Sequence, residues 1–114
     1  MYMECVEAEY ERGKHSGEAE IASGRPQLYW QTRGSWGELL TRLMADRFSV
    51  VVQHTSDITN QAEISFRSGY NNTISEWIDQ KFGDGSFESV LKEVERYREQ
   101  QARHYHETKR RGSA

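Results

Sequence analysis

Apolar and polar positions are most clearly ordered in the middle of the chain. Residues 47–55, Arg-Phe-Ser-Val-Val-Val-Gln-His-Thr, hold its only run of consecutive β-branched apolar residues. In a strand, Phe48, Val50 and Val52 share one face, and Ser49, Val51 and Gln53 share the other. Ala62, Ile64 and Phe66 alternate in the same way with Glu63, Ser65 and Arg67. The residues between, 56–61, are types that form turns through their own side chains. The pattern predicts an antiparallel hairpin of strands 48–54 and 62–67. A strand pair alone is marginal in water, so helices must cover its apolar face.

Helical periodicity flanks the hairpin. Trp36, Leu39, Leu40, Leu43 and Met44 form one broad stripe, and Ser35 with Glu38 has capping-box spacing, which predicts a helix over 36–46. Thr73 and Glu76 repeat that spacing ahead of Ile74, Trp77, Ile78 and Phe82, giving a helix over 74–82 that Gly83 ends in a left-handed conformation. A third helix over 87–108 carries Phe87, Val90, Leu91, Val94 and Tyr97, and its apolar stripe stops at Tyr97. Residues 27–32 have strand composition and extend the sheet. Residues 1–24 show no clean stripe, and Gly13 to Gly17 reads as a turn, so this stretch is expected as a flexible or weakly stranded arm. The expected fold is α+β: one small domain, with an antiparallel sheet covered by three helices and a basic helix end and tail projecting over 98–114.

Composition sharpens this picture at two points. At 114 residues the chain is one domain's worth, yet only 35% is hydrophobic and 29% is charged. Part of it is therefore a solvated arm or a surface that a partner completes. The net charge of −3 is also uneven. Residues 1–24 sum to −4 and residues 102–114 to +3, a polarity that steers partners or pairs two copies head to tail. No run is long enough to span a membrane, and the start has no secretory pattern. One cysteine, Cys5, cannot form an internal disulfide, and the chain is expected in the cytoplasm.

Catalytic and metal motifs are missing. His104 and His106 stand two apart, so on a helix they point to opposite sides and cannot share an ion. His54, Ser56 and Asp57 contain the residue types of a hydrolytic triad, but their roles in a turn explain them more simply. Asn71-Asn72-Thr73 matches a glycosylation acceptor, and helix capping accounts for it better in a chain without an export signal. No cofactor and no metal are expected.

Binding is the better fit. Three Trp, six Tyr and four Phe are many aromatics for so hydrophilic a chain. Aromatic residues and Arg dominate protein interfaces. Trp30, Trp36, Tyr97, Arg98, Arg103 and Tyr105 are the candidate contacts. The sequence reads as a non-enzymatic cytosolic adaptor, inhibitor or regulator that binds a protein partner, a second copy of itself among the candidates. A nucleic-acid-binding accessory protein using the basic C-terminal helix is the second reading. Glu93, Glu95, Glu99 and Glu107 on the same helix count against it. A small enzyme built from distant residues is the third.

Overall fold

The computed structural model describes the backbone of residues 2–30, 34–54 and 60–112, and the side chains of residues 6–30, 36–54 and 60–105. Along the chain run helix α1 (Tyr2–Ala22), strand β1 (Gln27–Trp30), helix α2 (Gly34–Phe48), strand β2 (Val51–His54), helix α3 (Gln61–Phe82) and helix α4 (Ser86–Gly112). The molecule is mostly helical. Among the described residues its sheet has two strands, and they run parallel, with Leu28 opposite Val52 and Trp30 opposite His54. Parallel neighbours need a crossover, and α2 supplies it in a β1–α2–β2 unit.

The α+β fold with an antiparallel sheet is therefore overturned, and with it the hairpin of 48–54 and 62–67. Val51 and Val52 do open β2, but Phe48 ends α2 and Val50 precedes the strand. The partner of β2 is β1, and residues 62–67 lie in the first two turns of α3. Asn60 starts that helix, its Oδ1 accepting from the Ala62 N–H at 2.8 Å. The alternation of Ala62, Ile64 and Phe66 is not a buried strand face, since Ile64 is 38% exposed. The helix buries Ser65, Gly69, Tyr70, Ile74 and Ile78 instead. Small and polar residues make up the first part of that seam, so hydrophobic periodicity could not register it. The expected helix over 74–82 is only the last nine of the 22 residues of α3. Thr73 lies inside α3, where its hydroxyl donates to the Gly69 carbonyl at 2.9 Å rather than capping a terminus.

The same physics turns the expected arm at 1–24 into α1. Gly13 and Gly17 are buried helix positions facing α3. A Cβ on Gly13 would sit 1.9 Å from the Phe66 carbonyl oxygen, and one on Gly69 would sit 2.1 Å from that of Tyr10. The two backbones are in contact because neither glycine has a side chain. Val6 meets Ser65, Tyr10 meets Gly69 and Gly17 meets Thr73, so the helices run in the same sense. Small residues four apart on each helix permit this approach.

Helix ends explain the tight connections. Gly24 (φ 75°) and Ser49 (φ 57°) take up left-handed backbone just after α1 and α2. Arg25 N–H then reaches the Glu20 carbonyl at 2.9 Å, and Val50 N–H reaches that of Met44 at 3.2 Å, closing both helices. Gly83 ends α3 with φ 114° and ψ 149°, a positive φ but not the left-handed helical geometry expected of it. Between α2, the sheet, α3 and the root of α4 lies the core of Leu28, Leu40, Met44, Phe48, Val50, Val52, Tyr70, Ile74, Ile78, Val90 and Val94.

Candidate functional site

Two regions gather polar and aromatic chemistry. The first is α4 and its root. Trp30, at the end of β1, sets its ring edge-on against Phe87, with centroids 6.1 Å apart. Arg47 of α2 pairs with Glu93 at 2.8 Å, and the Arg98 guanidinium lies 5.4 Å from the centre of the Trp36 ring. Both tryptophans are half-buried against the core, so they anchor α4 to the body. Tyr97 is also half-buried. Past it the helix leaves the body: residues 98–105 are all exposed, Tyr105 at 63%, and the helix continues to Gly112. Arg98 and Tyr105 stand seven residues apart and so share one face, with Gln101 between them. Of the six sequence-derived contacts, Trp36 and Arg98 touch. Trp30 and Tyr97 lie at the root, and Arg103 and Tyr105 lie on the projecting half.

Sequence reasoning missed the second region. A cleft of about 420 Å³ between α1, α3 and β1 is lined by Glu9, Arg12, Tyr29, Ala62, Glu63, Phe66 and Arg67. The Arg67 guanidinium lies 5.5 Å from the Tyr29 ring centre, and its buried Nη1 has no hydrogen-bond partner. Arg12 lies 5.9 Å from the Phe66 ring centre and is held by Glu9 at 2.6 Å. Beneath the cleft Tyr29 packs edge-on to Tyr70, whose hydroxyl donates to Glu20 Oε2 and accepts the Gln27 N–H at 3.2 Å. Asn71 completes the arrangement. Its Oδ1 accepts the Tyr29 N–H at 3.0 Å, and its Nδ2 donates to the Tyr29 carbonyl at 2.7 Å. One amide side chain thus does for the outer edge of β1 what a third strand would do.

The electrostatics assign this cluster a holding role. Burial, the hydrogen bond to Glu20 and the charge of Glu20 raise the Tyr70 pKa far above the ordinary phenol value. Burial and the charge of Glu20 raise that of Tyr29, against the pull of Arg67. Both phenols keep their protons at neutral pH, and that of Tyr70 is donated to Glu20. These partners lie more than forty residues apart in sequence, and no local spacing announces them.

A smaller cleft of about 360 Å³ opens at the N-terminal ends of α1 and α3, lined by Val6, Glu7, Tyr10, Glu11 and Ser65. Among the described residues, no group of three or more His, Cys, Asp or Glu side chains is arranged to hold a metal ion. His104 is exposed. Ser56 and Asp57 lie outside the described residues, and Cys5, Ser35 and His106 lie outside the described side chains. No helix among the described residues is long and apolar enough to cross a membrane. No protein-family model matches the chain, and no curated protein or solved structure is significantly similar to it.

Proposed function

We propose that this chain is a non-enzymatic protein-binding module of the cytoplasm, and that the projecting half of α4 is its docking element. One observation carries the reading. The helix persists to Gly112, although among the described residues the last core side chain it contributes is Val94 and everything from Arg98 to Tyr105 is exposed. A polar helix that buries almost nothing is marginal in water, because ordering each residue costs about 1–2 kcal/mol. A partner that packs along it offsets that cost. Arg98, Arg103 and Tyr105 are the residue types from which interfaces draw most of their energy, and Trp36 and Tyr97 brace the point where the helix leaves the body. The lone cysteine and the lack of a long apolar helix among the described residues support the compartment.

The test is capture from host lysate on the immobilised chain, with and without nuclease, beside an Arg103→Ala/Tyr105→Ala variant. The expected result is a defined set of proteins that the variant loses and nuclease leaves in place. Capture abolished by nuclease would replace this reading with nucleic-acid binding. Capture unchanged in the variant would remove α4 from the account.

A further inference from the structure

Resting on that reading, we infer that the partner of the projecting helix is a second copy of this chain, with each α4 seated across the N-terminal end of the other chain's α1. The charges point there. The sequence from 102 to 114 sums to +3, whereas the start of α1 carries Glu4, Glu7, Glu9 and Glu11. Glu9 is neutralised by Arg12, but Glu7 and Glu11 are exposed and have no ion-pair partner among the described residues. They stand one turn apart on a helix, where like charges repel by a few tenths of a kcal/mol. A cation laid between them relieves that repulsion.

Shape agrees with charge. Glu7 and Glu11 rim the 360 Å³ cleft, whose floor is Val6, Tyr10 and Ser65. Tyr105 of an incoming helix is exposed and can place its ring on the apolar floor, while the basic sequence around it supplies the positive charge that the rim lacks. No residue of the chain's own α4 lines the cleft, and α4 packs on α2 and α3. The arrangement is reciprocal, because each copy has one basic helix end and one acidic cleft, and a two-fold axis satisfies both.

Its size sets the expected strength. From Tyr97 to Gly112 the helix is about 24 Å long, at about 1.5 Å per residue. A strip that long and about 10 Å wide, counted on both surfaces and doubled by the two-fold axis, buries on the order of 1,000 Å², the lower bound for a specific interface. The dimer is accordingly weak and salt-sensitive.

Sedimentation equilibrium on the full chain tests this, together with two charge reversals, Glu7→Lys/Glu11→Lys and Arg103→Glu/Lys109→Glu. The native chain is expected to dimerise at low salt and to dissociate near 1 M salt, where the screening length is about 3 Å. Each reversal alone should weaken dimerisation at least about tenfold, because it sets like charges face to face. An equimolar mixture of the two should recover it, since every basic surface then meets an acidic one. Circular dichroism melts of each variant confirm that the fold is intact. A native chain that stays monomeric, a dimer indifferent to both reversals, or a mixture that fails to recover would each overturn the inference. The capture assay above judges the docking reading separately.

Discussion

At the scale of single residues, the decisive groups are those that satisfy the backbone of β1. Asn71 occupies both polar groups of Tyr29 on the edge away from β2, so Asn71→Leu leaves a part-buried donor and acceptor unpaired. A loss of about 1–3 kcal/mol in chemical denaturation is expected. Tyr70→Phe should cost a similar amount at neutral pH, by stranding the Gln27 N–H and removing the bond to Glu20. It should also change the alkaline response. Tyr70 in the fold titrates above its ordinary 10.0, so it adds no pH dependence below about pH 10. Above that, the unfolded chain sheds a proton that the folded chain keeps, and stability falls as pH rises. The Phe variant should show a shallower decline there. An unaltered slope would mean that the phenol is solvated.

At the scale of elements, the contact between α1 and α3 makes a ranked prediction. Alanine favours a helix over glycine by about 1 kcal/mol, so a Gly→Ala change that destabilises a helix must act through packing. Gly13→Ala and Gly69→Ala push a methyl into a facing carbonyl and should cost the upper end of about 1–3 kcal/mol or more. Gly17→Ala meets the Thr73 side chain at 3.2 Å and the Tyr70 carbonyl oxygen at 3.3 Å, contacts that a shift of a few tenths of an ångström relieves, and should cost much less. Melting the three variants side by side checks the order, and equal midpoints would mean that the helices stand further apart. This contact also explains why half the fold was hard to read. Its seam of Gly13, Gly17, Ser65, Gly69 and Thr73 contains no large apolar residue, and such positions look like turns in a sequence. In contrast, α2 and the root of α4 bury Leu40, Met44, Val90 and Val94 at helical spacing, and both lie where periodicity placed them.

At the scale of the whole molecule, the long axis of 58 Å against 35 and 20 Å describes a body with an extension. A chain ending after Gln100 keeps the Arg98–Trp36 contact and the buried side chains of Val90 and Val94. Its thermal midpoint should lie within a few degrees of the full chain, as surface changes usually leave it. Dimerisation at low salt should be lost. A large drop in midpoint would show that the distal helix stabilises its own monomer, contrary to its exposure. The candidate surface was legible only in part: composition picked out Arg98, Arg103 and Tyr105, whereas the α1–α3–β1 cleft was beyond any local reading.

What the sequence determined by itself was whatever depends on neighbours along the chain. This includes α2 and α4 from their stripes, β2 from its valines, the stop at Gly83 and the polarity of charge between the two ends. Tertiary structure alone decided the rest, because those choices turn on distant partners. Gln27–Trp30 pairs in parallel with Val51–His54 only because α2 carries the chain back beside it. Residues 62–67 become helix rather than strand because a glycine-faced α1 offers them a backbone to pack on. A hydrophobic pattern records which side chains avoid water, and a contact between two bare backbones leaves no such record.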